Sequence, residues 1–163
     1  LMTQPMATTI AEKTSILTGA MKDAGLISTP VTPAPFLKLG PRSTYVEDRG
    51  WIYFLKPAYF TAPGDYVLFD GTQMSQVLVG FKPQRVGQWF LIDCSIDGHT
   101  KNVLDDKFRI SASEGDSTTQ VSVVGQGHLQ TIVVAQSTNF QIINIERMHG
   151  AWVFYSCEIT TPN

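Results

Sequence analysis

The chain has 163 residues, of which 43% are hydrophobic and 16% are charged, and its formal net charge is −2. This length suits one domain with a sizeable core, and a slightly acidic chain without a basic run is not expected to bind nucleic acid through its phosphates. No stretch approaches the roughly 20 apolar residues of a membrane-spanning helix, and no basic segment followed by an apolar run precedes the first predicted element. We therefore expect no nucleic-acid partner, no membrane anchor and no signal peptide.

The first predicted element is a helix. Thr9 and Glu12 have the spacing of a capping box, in which each side chain satisfies a free amide at the start of a helix. Gly25 is placed to end it. An apolar stripe is formed by Ile10, Leu17 and Met21. Because Gly19 weakens the helix interior, we expect the helix to need a surface to pack on.

A proline-rich segment follows at residues 28–41 and contains Pro30, Pro33, Pro35 and Phe36. Such a segment is extended and stiff and cannot join the middle of a sheet. We expect it either to lie across its own domain or to reach a neighbouring subunit. The chain is accordingly divided into a helix and arm at 1–41 and a β domain at 42–163.

The β domain is indicated most clearly by residues 118–160, where apolar and polar residues alternate and turn signals recur every eight to twelve residues. This pattern is typical of antiparallel strands with one buried face. The last predicted strand, 151–159, is apolar on both faces, so we expect it near the middle of a sheet. Earlier, Asp48-Arg49-Gly50 indicates a hairpin turn in which Gly50 supplies a positive φ.

Short strands at regular spacing favour a sandwich or barrel. The predicted fold is therefore an all-β antiparallel β-sandwich, jelly-roll-like, preceded by one helix and an extended arm.

Aromatic residues are concentrated between Tyr45 and Phe69. Such density usually marks a core, because aromatic side chains carry the largest apolar area per residue. The alternative is a platform on which sugar rings stack. Its candidate residues in the whole chain are Trp51, Tyr53, Tyr59, Trp89 and Trp152.

The two cysteines, Cys94 and Cys157, both fall inside predicted strands. We expect a pair of buried free thiols, although a bridge between two sheets is geometrically possible. The redox compartment stays open at this point.

Catalytic and metal-binding motifs are missing from the sequence. No Gly-x-Ser-x-Gly elbow is present, and the three histidines, His99, His128 and His149, fall at predicted turns or strand ends without a metal-binding spacing. We expect these histidines to be solvated. A group of acidic residues could bind calcium at one end of the sheets, but aspartate is also a common turn former; the group comprises Asp93, Asp97, Asp105, Asp106, Glu114 and Asp116. We assign no catalytic residue, no cofactor and no metal, and we expect a protein that is not an enzyme.

A helix and a proline-rich arm ahead of a compact β domain give a layout that resembles the small decoration, cement or tail-associated proteins of bacteriophages. The resemblance implies a structural component of a virion that forms homo-oligomers such as trimers and docks on other virion proteins through its arm. The arm residues that would make these contacts are Ile10, Leu17, Met21, Pro30, Pro33, Pro35 and Phe36. The alternative is a secreted or extracellular carbohydrate-binding sandwich that uses exposed aromatic residues.

Overall fold

The computed structural model describes residues 6–55, 59–60, 65–69, 76–98, 107–112, 118–122, 126–149 and 151–162. These residues form one helix and twelve strands, arranged in two six-stranded antiparallel sheets. The helix α1 spans Ile10–Asp23, and the strands are β1 Pro33–Leu39, β2 Tyr45–Val46, β3 Gly50–Leu55, β4 Tyr59–Phe60, β5 Val67–Phe69, β6 Gln76–Phe81, β7 Trp89–Gly98, β8 Lys107–Ala112, β9 Thr118–Ser122, β10 Gln126–Val134, β11 Gln141–His149 and β12 Trp152–Pro162. The predicted all-β antiparallel sandwich is confirmed.

The two sheets are built from strands that alternate along the chain. The first sheet has the order β10-β7-β12-β5-β4 with β1 also beside β12, and the second has the order β2-β3-β6-β11-β8-β9. The four strands β9 to β12 therefore belong in turn to the second, first, second and first sheets. From β9 onwards successive strands cross between the sheets, whereas β2 with β3, β4 with β5 and β8 with β9 pair as neighbours in one sheet. Crossing connections of this kind are typical of jelly-roll sandwiches.

Strand β12 lies at the centre of the first sheet. It pairs with β7 along one edge, and along the other edge with β5 near its start and with β1 near its end. All residues from Trp152 to Cys157 are buried. The prediction that the last strand lies near the middle of a sheet is confirmed.

The core lies between the sheets. Of the aromatic side chains that the structure describes between Tyr45 and Phe69, the core contains Phe69, and Phe54 packs against it. Phe81 of β6 and Phe90 of β7 meet edge to face with ring centroids 4.9 Å apart, and Phe69 stacks on Trp152 at 4.5 Å. Both arrangements are favourable for aromatic pairs. The inward residues of β6 and β7 alternate with outward ones, as the sequence pattern requires.

Helix α1 begins and ends as predicted, but the side it buries is different. The capping box between Thr9 and Glu12 is present, and Gly25 has a positive φ of 74°. The buried residues of the helix are Lys13, Leu17 and Thr18, whereas Ile10 is 60% exposed. The stripe containing Ile10 is therefore wrong, because an ion pair between Lys13 and Glu158 of β12 turns the neighbouring face towards the sheet.

The second half of the predicted arm is a strand of the sandwich. Residues Pro33–Leu39 pair with β12, and Leu37 and Leu39 are buried in the core. Proline is tolerated here because β1 pairs on one side only in the described sheet. The first strand of the sandwich therefore lies inside the segment assigned to the arm, and this part of the arm contacts its own chain.

The turn between β2 and β3 has its positive φ at Asp48, at 62°, and not at Gly50. Aspartate tolerates this conformation better than most residues. Gly50 is required for packing, since a Cβ there would overlap the carbonyl oxygen of Gly80 and the side chain of Leu37.

Cys94 and Cys157 form a disulfide bond, so the expectation of free thiols is wrong. The two residues stand directly opposite each other on β7 and β12, with Cα atoms 4.0 Å apart. The bond therefore joins neighbouring strands of one sheet and not the two sheets. The two cysteines can bond because the register of β7 and β12 places them opposite each other, and this register cannot be derived from the sequence.

Replacing both cysteines with alanine is expected to lower the free energy of unfolding by about 2–4 kcal/mol, because the bond closes a long loop of the unfolded chain. Denaturant unfolding of the oxidised, the reduced and the double-variant protein measures this loss. Two reactive thiols in the denatured, unreduced protein would show that the bond does not form.

Two truncations separate the helix from the strand that follows it. Removing residues 1–31 deletes the helix and the burial of Leu17, which contributes about 2 kcal/mol, and should leave a cooperatively folded sandwich. Removing residues 1–41 also deletes β1 with the core residues Leu37 and Leu39, and should abolish cooperative unfolding. Calorimetry compares the two chains, and equal stability would show that β1 is dispensable.

Candidate functional site

An exposed aromatic surface covers part of the outward side of the second sheet. Its residues are Tyr45 of β2, Trp51 and Tyr53 of β3, Leu78 of β6 and Ile142 of β11. We call it the aromatic face. The residues share one side because side chains alternate along each strand and the register brings Tyr45 opposite Trp51 and Tyr53 opposite Leu78.

The exposure of these side chains sets them apart from the core. Tyr45 is 66% exposed and Tyr53 is 52% exposed, whereas Ile52, between Trp51 and Tyr53, is 5% exposed and points inward. Trp51 is half-buried. Three aromatic side chains therefore stand side by side on two neighbouring strands with part of their surface open to solvent.

Trp51 owes its position to a glycine. In the register of β3 and β6 it lies opposite Gly80, and a Cβ at Gly80 would overlap the indole ring. The ring therefore covers the backbone of β6 at a place where any side chain would push it away. Beyond Gly80, Ile142 continues the same row across β11.

Polar groups border the aromatic face on β11. The side-chain amide of Asn144 donates a hydrogen bond to a carboxylate oxygen of Glu146 at 2.7 Å, and both residues are half-buried on the outward side. Asn144 lies opposite Leu78. Apolar surface with a few fixed polar groups at its border is a common composition of small-molecule sites.

The structure separates the aromatic residues predicted to bind sugars. Trp152 is fully buried and stacks on Phe69, so its assignment to a binding surface is wrong. Trp89 is half-buried on β7, in the other sheet. The side chain of Tyr59 lies outside the described residues. Among the candidates whose side chains the structure describes, only Trp51 and Tyr53 come together.

Tyr45 is not among the predicted binding residues, but the structure places it opposite Trp51 on the aromatic face. The signal was present in the sequence, since a hairpin around residues 48–50 places Tyr45 and Trp51 on facing strands. The sequence alone could not fix their register, which decides whether the two rings share a side.

The structure also separates the predicted arm residues into some that pack against their own chain and others that are exposed. Leu17 is fully buried, and the Phe36 ring packs against Phe90 with centroids 5.1 Å apart while Arg49 lies 4.5 Å above it. These two residues contact their own chain, so they are not free to bind a neighbour. Of the other predicted arm residues, Ile10, Pro30 and Pro35 are exposed, and Met21 and Pro33 are half-buried.

His128 is not solvated as expected. It is half-buried in β10, and its ring nitrogen Nδ1 lies 3.0 Å from a carboxylate oxygen of the buried Asp93. His99 lies outside the described residues, and so does the side chain of His149.

No group of three or more metal-ligating side chains is found in the part of the chain that the structure describes. Of the acidic residues considered for calcium, Asp93 and Asp97 are buried in β7, while Asp105, Asp106, Glu114 and Asp116 lie outside the described residues. Among the described helices none is long and apolar enough to cross a membrane.

Comparison with known proteins yields similarity of structure only. No family model matches the chain, and no curated protein does so either. Solved structures similar to it include a family two carbohydrate esterase from Cellvibrio japonicus, with a TM-score of 0.54, 6% identity and coverage of 80% of this chain and 34% of that one. A GH115 4-O-methyl-alpha-glucuronidase, BtGH115A, has a TM-score of 0.52 and 7% identity, with 82% of this chain and 18% of that one covered.

A third similar structure is the C-terminal CBM6 of LamC, a marine laminarinase from Zobellia galactanivorans. Its TM-score is 0.46 at 14% identity, with coverage of 76% of this chain and 98% of that one. At these identities the first two similarities show a shared sandwich fold and do not identify a ligand.

Replacing Gly80 with alanine is expected to displace the Trp51 indole, because the new Cβ would occupy the space of the ring. The indole N–H resonance of Trp51 in an NMR spectrum reports this movement. Gly19→Ala is the matched control, since a Cβ there meets nothing within 4 Å, and it should stabilise the helix by up to about 1 kcal/mol. An unchanged Trp51 resonance in Gly80→Ala would contradict the packing described.

Proposed function

We propose that this protein is a non-catalytic carbohydrate-binding β-sandwich and that the aromatic face stacks on the rings of a glycan. The observation that carries the proposal is the juxtaposition of Tyr45, Trp51 and Tyr53, partly open to solvent, on one side of one sheet. Aromatic side chains supply large, rigid apolar surfaces, and tyrosine adds a hydroxyl group that can form hydrogen bonds. A pyranose ring needs both, because its C–H faces are apolar and its rim carries hydroxyl groups.

The aromatic face also differs from an ordinary surface. Single exposed apolar residues are common, but a contiguous exposed patch usually marks a binding site. Half-buried Leu78 and Ile142 extend it, and Asn144 and Glu146 provide hydrogen-bonding groups at its border. These residues lie on strands of a sheet and not on long loops, so the surface is held in place before any ligand arrives.

Two further observations agree with the proposal. Two solved structures that share the fold are a carbohydrate esterase and a glucuronidase described as specific for decorated arabinogalactans. The disulfide between Cys94 and Cys157 suits an oxidising compartment, so we place the protein outside the cytoplasm as a secreted or extracellular module.

The assembly role in a virion stays a prediction, because nothing in the comparisons bears on it. The exposed aromatic face would serve such a role only as a contact between protein subunits. The oligomeric state of each variant is therefore measured by light scattering together with its glycan binding.

Screening the full chain against a panel of polysaccharides identifies a ligand, and calorimetric titration of Trp51→Ala and Tyr53→Ala tests the face. Each variant should lose at least about tenfold in affinity, or about 1.4 kcal/mol, with little change in melting temperature because both side chains are partly solvated. Trp89→Ala, on the other sheet, is the matched control and should bind normally. Trp152→Ala should instead lower stability by about 3–5 kcal/mol, as a core substitution.

Two results would overturn the proposal. One is a panel without any bound glycan. The other is a glycan whose affinity is unchanged in both Trp51→Ala and Tyr53→Ala. If these substitutions alter the oligomeric state in light scattering, the aromatic face is a contact between subunits and the assembly role is favoured.

A further inference from the structure

The N-terminal segment is held against the outward side of the first sheet, on the opposite side of the sandwich from the aromatic face. We call residues 6–23, which include helix α1, the N-terminal latch. Lys13 of the latch donates a hydrogen bond to Glu158 of β12 at 2.8 Å and is only 6% exposed. Leu17, one turn further along, is fully buried. A charged pair at the edge of an apolar contact therefore fixes the helix.

The start of the latch is held by His128 of β10. Nδ1 of its ring lies 3.0 Å from the carboxylate oxygen Oδ1 of Asp93, and Nε2 lies 2.6 Å from the backbone carbonyl oxygen of Met6. When Asp93 is ionised, its carboxylate oxygen and the carbonyl oxygen of Met6 can accept hydrogen bonds but cannot donate them. A neutral imidazole has one N–H group and can donate to only one of them. Both hydrogen bonds form together only when His128 is an imidazolium.

The neutral ring offers no equally good arrangement. With the proton on Nε2, the ring would donate to Met6, and the hydroxyl of Thr8, at 3.4 Å, could donate to Nδ1. The lone pair of Nδ1 would then face the Asp93 oxygen at 3.0 Å. With the proton on Nδ1, the contact to Asp93 is kept and the bond to Met6 is lost. Losing the second proton therefore costs His128 one of its two hydrogen bonds, either the one to Asp93 of the sheet or the one to Met6 of the latch.

The charges around His128 favour its protonated form. Asp93 of β7, Glu158 of β12 and Glu12 of α1 contribute three carboxylates, against one ammonium group from Lys13. Lys38 of β1, which lies 3.8 Å from Glu158, is mostly exposed. Gln130 donates to Asp93 at 3.1 Å but brings no charge. An imidazolium at position 128 therefore compensates negative charge at the base of the latch.

We infer that the N-terminal latch is proton-dependent: it closes on the first sheet when His128 carries two protons and loosens when it loses one. Closing brings the Met6 carbonyl oxygen to Nε2, and the closed arrangement keeps both hydrogen bonds only with the doubly protonated ring, so closing weakens as pH rises and this proton is lost. The limiting slope for one proton is about tenfold per pH unit.

Glu158 determines how far the pH can fall before the latch loses its ion pair with Lys13. Its burial would raise the pKa, but the hydrogen bond and charge of Lys13, with Lys38 and His128, outweigh burial and lower the pKa of this carboxyl below its usual value. The ion pair is therefore present above the ordinary titration range of glutamate and is lost as pH falls through the lowered pKa. The latch therefore loosens in strongly acidic solution, where the Glu158 carboxyl becomes protonated.

NMR of the full chain tests the inference directly. Nitrogen-15 shifts of the His128 ring identify its protonation state, and amide exchange corrected for intrinsic rates reports the opening of α1 between about pH 5.5 and 8.5. We expect an imidazolium and strong protection of α1 at the acidic end. At the alkaline end we expect a neutral ring and protection at least about tenfold weaker. A neutral ring with an equally protected helix at both ends would overturn the inference, and so would an imidazolium whose loss leaves α1 unchanged.

Three variants separate the latch from general stability. His128→Gln cannot titrate and should remove the pH dependence of α1 protection. Lys13→Met should weaken protection at every pH and keep the dependence, because His128 remains. His149→Gln changes a histidine on β11, in the other sheet, and should behave like the parent chain. Glycan binding by the aromatic face does not enter this measurement, so either proposal can fail without the other.

Discussion

The pairing of β12 is the interaction on which the rest of this structure depends. This strand is hydrogen-bonded along both edges, exchanges one neighbour for another at its midpoint and is covalently joined to β7 through the bond between Cys94 and Cys157. Its fixed position determines the alignment of β7 and β1, and the two faces of the sandwich follow from it. Loss of that pairing would remove the surface that Lys13 contacts and one wall of the core.

The two outward surfaces of the sandwich have opposite chemistry. On the second sheet, tyrosine and tryptophan side chains stand partly open above a glycine. On the first sheet, carboxylates, a histidine and polar side chains are covered by a segment of the same chain. One surface is therefore open to solvent, while the other is covered by a helix that is held by the buried Leu17 and by polar contacts of Lys13 and Met6.

The sequence predicted those features that depend on neighbouring residues. The capping box at Thr9, the strand character of residues 118–160 and the central place of the last strand could all be derived from short-range patterns. Features set by register could not. The bond between Cys94 and Cys157, the meeting of Tyr45 with Trp51 and the bridging role of His128 each join residues that are distant in sequence or depend on which of two faces they share.

The glycine beneath Trp51 has a further consequence for conformational entropy. A side chain that is free in solution loses rotamer freedom when a ligand fixes it, and that loss reduces the affinity. The indole of Trp51 is already confined against the backbone of β6 at Gly80, so it has little freedom left to lose. Tyr45 and Tyr53, which are more exposed, keep more of theirs. Within one surface, therefore, Trp51 is a rigid element and the two tyrosines are adaptable ones. If this surface binds glycans as proposed, the tyrosines can adjust to ligands of differing shape while Trp51 stays fixed.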